Sequence, residues 1–196
     1  MEGPLEFVFS FRSPYAWIAA RHVLPLLHAE TQVCWTPFFP LPSFPNFGSV
    51  IRAKALHNLE DILRLAEAYG LAIGRPPVDE PDWSGPHSAF VWADGQGRGR
   101  EFALALLEER WGQGQRVATP EAIGRAAGAV GLDPAAAVVA SEDEKLRGDL
   151  VERIQRDYDE RDIFGVPMFV LPDGKRFWGH DRMEWAIRYG FIRGSA

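Results

Sequence analysis

Apolar residues along the chain follow two rhythms, and the change from one to the other marks the elements. "LEFVFSF", Leu5–Phe11, alternates weakly and is rich in β-formers, which predicts a strand. From Pro14 the period becomes 3.6, with Tyr15, Ile18, Ala19, His22 and Leu26 near one face, and this predicts a helix. Pro14 suits the first helical position, where its missing N–H is not needed. Ser13 then reads as the helix cap. "TQVCWTPFF" predicts a second strand, stopped by the proline-rich "PLPSFPNFG".

The middle of the chain keeps the helical rhythm. "IRAKALHNLEDILRLAEAYG" predicts a long helix with Gly70 just past its end. "LAIGRPPVDEPDWSGP" reads as a loop, and "HSAFVWADGQGRGREFALALLEERWGQG" as two helices joined by a glycine-rich turn. Thr119 caps another helix with Pro120 at its first position. "DPAAAVVASEDEKLRGDLVERIQRDYDERD" supplies one or two more. The last quarter returns to strands: "GVPMFVLPDGKRFWGH" has two β-rich runs around a hairpin turn at Pro172-Asp173-Gly174-Lys175. "DRMEWAIRYG" closes with a short helix capped by Asp181. The order is strand–helix–strand, a helical block, then strand–strand–helix. One sheet split by inserted helices is the simplest architecture for it.

Composition narrows the function classes. The 196 residues are 46% hydrophobic and 24% charged, ordinary for a chain that buries a core, and the net charge of -6 gives no sign of a nucleic-acid surface. Cys34 is the only cysteine, so a disulfide framework, a CxxC pair and a cysteine-rich zinc site are excluded within one chain. Its place in a predicted strand makes it an expected buried, inert thiol. The five histidines show no metal-binding spacing, and no metal is expected. "GQGRGR" lacks a preceding strand and a P-loop lysine, so it is a turn. The N-terminus has no basic, apolar leader, and no run approaches the ~20 apolar residues of a membrane span. The expectation is a soluble cytoplasmic protein with no membrane or nucleic-acid partner.

Two motifs inform each other. Proline cannot donate to a sheet ladder, so Pro167 in "FGVPMFVL" belongs at the start of a strand or at an edge. A strand–turn–helix, followed much later by a hairpin opened by Val166-Pro167, resembles the thioredoxin fold, in which a cis-proline loop lies beside the first helix N-terminus. Redox members of that fold begin the helix with CxxC. Here the residues are Ser13-Pro14-Tyr15-Ala16, and without a thiolate nucleophile the chain cannot carry out dithiol–disulfide exchange by itself. Ser13 is either only a cap, or a donor to the thiolate of a bound thiol ligand, for which glutathione is the natural candidate.

"SFRSPYAWIA", "IFGVPMFVL" and "FWGHDRMEWA" resemble the matching segments of the family of 2-hydroxychromene-2-carboxylate isomerase and the kappa-class glutathione transferases, along essentially the whole chain. The resemblance implies an α/β, thioredoxin-like fold with a large all-helical insertion between the strand–helix–strand and strand–strand–helix halves. Residues 1–45 and 162–196 would form the discontinuous thioredoxin-like domain and 46–161 the inserted helical domain. Ser13 matches the residue set against the glutathione sulfur. Val166, before Pro167, matches the residue whose backbone pairs with the cysteinyl part, as in strand-like peptide recognition. Asp181 and Arg182 match the "DR" facing the γ-glutamyl end, and Lys54 a lysine facing the glycyl carboxylate. Asn46 lies near where the family uses an asparagine. Each has a structural reading too: a strand start at Val166, a cap at Asp181, a solvated lysine at Lys54. In the motif of Lys54, His57 and Asp61, His57 stands where the family has a phenol.

The implied activity is glutathione-dependent isomerisation of an aromatic keto acid by thiolate addition, bond rotation and elimination, in a homodimer. The alternatives are a kappa-like transferase that releases the conjugate of an electrophile, and a non-catalytic thioredoxin-fold module that binds a peptide or thiol.

Overall fold

Strands β1 (Leu5–Phe9), β2 (Val33–Pro37), β3 (Met168–Val170) and β4 (Arg176–Trp178) form one sheet in the order β2-β1-β3-β4. β1 is parallel to β2 and antiparallel to β3, which is antiparallel to β4. The computed structural model describes residues 3–45, 52–77 and 82–188 of the chain. The weak alternation of β1 follows from its central place. Phe7 and Phe9 point into the larger core, against Trp35, Phe90 and Phe169, while Val8 points the other way, against Phe38, Ile154 and Met168. A strand covered on both faces is apolar on both.

Helix α1 (Pro14–Ile18) follows β1, and α2 (Arg52–Ala68), α3 (Ser84–Gly95), α4 (Gly99–Leu107), α5 (Pro120–Ala129), α6 (Pro134–Glu142) and α7 (Glu144–Arg161) stand between β2 and β3. Helix α8 (His180–Arg188) follows β4. Helices α1, α3, α4, α5 and α8 pack into the core on the Phe7 face, and α7 contributes Leu150 and Ile154 on the Val8 face. Two of the caps read from sequence, Ser13 and Thr119, are formed. Ser13 Oγ accepts from the Ala16 N–H at 3.1 Å, and Thr119 Oγ1 from the Ala122 N–H at 3.3 Å. Gly70 takes a positive φ of 66° beyond α2. The hairpin closes through Leu171 N–H to Lys175 O and Gly174 N–H to Leu171 O, each 2.8 Å.

Several boundaries differ from the sequence reading. β1 ends at Phe9, because Ser10–Ser13 form a turn in which the Ser13 N–H donates to Ser10 O at 3.1 Å. After Ile18 the helical run widens into a π turn, Ala19–Val23, and tightens into a 3-10 turn, Leu24–Leu26, where Pro25 has no N–H to continue the α ladder. Helix α3 starts at Ser84, inside the expected loop; Gly85 and Pro86 fit there because the first turn needs no donors. Helix α8 begins at His180, so Asp181 lies within the first turn and not at the cap.

Cys34 is exposed, contrary to expectation. It pairs in register with Glu6 on the Val8 face, and there it lines a cleft with Glu6, Thr36, Arg161 and Arg176. Glu6 accepts from Thr36 Oγ1 at 2.8 Å and pairs with Arg161, which also holds Asp157 at 2.7 Å. That part of the sheet face is polar where the rest is covered. Among the described residues no helix is long and apolar enough to cross a membrane.

Candidate active site

Ser13 sits where β1 hands over to α1. Its extended backbone (φ -100°, ψ 115°) makes it the cap, and its carbonyl accepts from the Trp17 N–H at 3.2 Å. A hydroxyl that accepts through its oxygen keeps its proton for another partner. The side chain is half-buried at the surface of the turn.

The second segment meets the first because of strand register. Val8 lies opposite Met168, so the chain leaves β1 and enters β3 at the same end of the sheet. The Val166–Pro167 peptide bond is cis, and Val166 lies outside the ladder, which begins at Met168. Pro167 O accepts from the Gly179 N–H at 2.9 Å, which ties the start of α8 to the same loop. Gly179 has φ 110°, and a Cβ there would lie 2.6 Å from Asp181 Oδ1; glycine allows the backbone and the carboxylate to share that space.

An aromatic seam joins α1, α2 and α8. Tyr15, two residues after Ser13, stacks on His180 with ring centroids 5.7 Å apart, and its hydroxyl donates to Asp61 Oδ2 at 2.9 Å. Tyr69 meets His180 edge-on at 6.2 Å, stacks on His22 at 3.6 Å, and donates to Glu184 at 3.2 Å. His180 is buried, and its Nε2 has no hydrogen-bond partner among the described residues. Burial lowers its pKa; Asp181, Asp61 and Glu184 pull the other way, and His22 adds to the lowering. Burial, helped by the bond to Asp61, raises the Tyr15 phenol above the ordinary tyrosine range.

The structure thus gathers three sequence-predicted segments, around Ser13, Val166-Pro167 and Asp181. Asp181 and Arg182 are exposed on the first turn of α8, with Oδ2 3.5 Å from Nε. Lys54 is exposed on α2, seven residues before Asp61 and so about 10 Å along the helix axis from it. His57 is exposed on the same helix, and Asn46 lies outside the described residues. Tyr15 and His180 fall inside the motifs read from sequence but had no role there. His87 and Trp111, which hold the Ser13 turn from outside, carried no sequence signal at all. Among the described residues no group of three or more His, Cys, Asp or Glu could hold a metal ion.

A serine-headed helix beside a cis-proline loop is the thioredoxin arrangement without its sulfur, and residues 4–186 match the DSBA-like thioredoxin domain. The chain belongs to the DsbA-like thioredoxin family. No curated protein matches it in sequence. Within the DsbA-like fold it is similar to a solved 2-hydroxychromene-2-carboxylate isomerase, at 17% identity and a TM-score of 0.82, over 96% of this chain and 95% of that one. It is also similar to a probable DsbA oxidoreductase from Streptomyces coelicolor, at 18% identity and TM-score 0.76, covering 98% and 92%. The cytosolic disulfide reductase DsbM from Pseudomonas aeruginosa, solved with GSH, matches at 16% identity and TM-score 0.68, covering 97% and 100%. At these identities the likeness concerns the fold.

Proposed function

We infer that this DsbA-like chain is a glutathione-dependent isomerase of aromatic keto acids of the 2-hydroxychromene-2-carboxylate type. The observation that carries the reading is Ser13: it takes the first position of the motif, its oxygen is used by the Ala16 N–H, and its proton is left to give. The similarity to a solved isomerase of that name, and a DsbM neighbour solved with GSH, support the same choice.

The residues fit the ligand. Ser13 Oγ–H would donate to the sulfur and favour its thiolate form. The Val166 backbone, ahead of Pro167 and outside the ladder, would pair with the cysteinyl unit. Asp181 would accept from the γ-glutamyl ammonium, and Arg182 and the Nε2 of His180, without a partner among the described residues, stand at the same end. Lys54 would face the glycyl carboxylate, and Asn46, which lies outside the described residues, is assigned to the same ligand from the resemblance. Bound glutathione supplies a thiolate nucleophile for reversible addition to a conjugated carbonyl. The chain's own task is orientation, exclusion of water and a fixed donor at the sulfur. Residues 1–45 and 162–196 would form the thioredoxin-like unit, with 46–161 as its helical insertion. The same reading has the protein act on a small aromatic acid, as a homodimer, in the cytoplasm.

Calorimetry of glutathione binding, with thiolate absorbance at about 240 nm followed against pH, tests this in wild type and Ser13→Ala. The expected result is a depressed thiol pKa in wild type that returns toward the free value in the mutant, with the fold intact. Turnover of a chromene acid with glutathione unconsumed distinguishes isomerase from transferase. No glutathione binding by wild type would sink the reading.

A further inference from the structure

The Ser13 turn is held from far away in sequence. Phe11, its second residue, finds both backbone partners in helices that follow β2. Its N–H donates to Nε2 of His87 on α3 at 3.3 Å, and its C=O accepts from Trp111 Nε1 at 3.0 Å, across 76 and 100 residues of chain. Inside the turn, Ser10 makes the local closure: the Arg12 N–H donates to Ser10 Oγ at 3.2 Å and the Ser13 N–H to Ser10 O at 3.1 Å.

Trp111 belongs to a π turn, Glu108–Gly112, at the end of α4. The wider turn points Trp111 at Phe11 and Glu108 at α1, where Glu108 accepts from Trp17 Nε1 at 3.1 Å. π turns inside α-helices often mark functional positions.

His87 is fully buried, with ring centroids 4.8 Å from Phe11 and 4.9 Å from Phe39. Its Nδ1 lies 2.6 Å from Trp83 O, which can only accept, so Nδ1 carries the proton. Nε2 is then the acceptor that the Phe11 N–H requires. Neutral imidazole in this tautomer satisfies both contacts; imidazolium would set one N–H against another.

We propose that His87 is a positioning residue for Ser13: by accepting from the Phe11 amide it fixes the turn that aims the hydroxyl, and its protonation releases that turn. What Ser13 is aimed at rests on the glutathione reading, whereas the clamp on Phe11 does not. The charged groups that act on His87 are Asp82, which favours protonation, and Arg153, which opposes it. Burial outweighs both and holds the imidazole down to about 4, so the clamp is closed at neutral pH.

The test uses the whole protein and three forms of residue 87. Gln reaches the Nε2 position and offers Phe11 an acceptor; Asn reaches only the Nδ1 position. Amide exchange of Phe11 is measured first, without ligand. Expected is a protected amide in wild type at pH 7 and a protection factor lower by about tenfold in His87→Asn, the worth of roughly one net hydrogen bond, with recovery in His87→Gln. Wild type alone gives a second reading: the Phe11 amide and the His87 imidazole should titrate together. Equal Phe11 protection in all three proteins, or an amide indifferent to His87 titration, would overturn the clamp. With glutathione added, thiol acidification should weaken in His87→Asn and return in His87→Gln. Unchanged acidification across the three would overturn the positioning role. A wild type that binds no glutathione overturns the proposed function and the positioning role with it, and Phe11 exchange then decides the clamp alone.

Discussion

Lowering the pH from 7 to 5 should take roughly 2 kcal/mol from the folded protein through His87 alone. The ring titrates near 6.5 when the chain is unfolded and at about 4 in the folded protein, because burial opposes its charge. A folded pKa below the unfolded one means that the unfolded chain binds the extra proton between these values. The stabilisation is therefore complete above pH 6.5 and is lost as pH falls toward 4. At roughly 1.4 kcal/mol per pKa unit, the full effect is capped at between about 3 and about 4 kcal/mol. More than half of that is lost by pH 5, while an imidazole with an unperturbed pKa would contribute no pH dependence at all. Urea midpoints at closely spaced pH values, for wild type and His87→Gln, separate this from the carboxylates, since those titrate in both proteins and cancel in the difference. The difference curve should narrow steadily between pH 6.5 and 4, at constant urea m-value. A difference that stays flat over that range would refute the assignment of a buried, neutral His87.

Other expectations are simpler. Gly74 donates its N–H to Trp111 O at 2.6 Å, and a Cβ there would overlap the backbone of Gln113 and Gly114. Gly74→Ala should therefore cost about 3 kcal/mol in chemical denaturation, while Gly95→Ala, where a Cβ meets nothing, should stay within about 0.5 kcal/mol of wild type. Tyr15→Phe should lose about 1 kcal/mol with its bond to Asp61 and should remove one late phenolate step from an alkaline absorbance titration. Cys34 should react fully with a thiol reagent in the folded protein, whereas labelling only after unfolding would contradict its exposed place on the sheet.

How much of this was legible beforehand depends on how far each feature reaches along the chain. The caps at Ser13 and Thr119, the glycine after α2 and the turn at Pro172–Lys175 are each decided by a few neighbouring residues, and the sequence contains them whole. The same holds for the order of elements and for the absence of a second cysteine. The motifs around Ser13, Val166-Pro167 and Asp181 were readable as separate segments. Only strand register, with Val8 against Met168, and the Gly179 bond to Pro167 bring them to one end of the sheet.

Features that depend on what covers a face were not readable. Alternation alone puts Cys34 on the opposite side of β2 from Trp35, but whether that side meets solvent depends on how far α7 extends across it. A histidine on an apolar helix shows nothing of a turn 76 residues away, yet at His87 that long-range bond uses the Nε2 lone pair left free by the Nδ1–H contact with Trp83 O, and burial lowers the pKa. The sequence by itself determined the elements, their caps and the residues available for chemistry, because those follow from local backbone geometry and side-chain type. Tertiary structure alone decided which faces are buried, which imidazole is kept neutral and which distant helices hold the Ser13 turn, because desolvation and long-range hydrogen bonds exist only once the chain has packed.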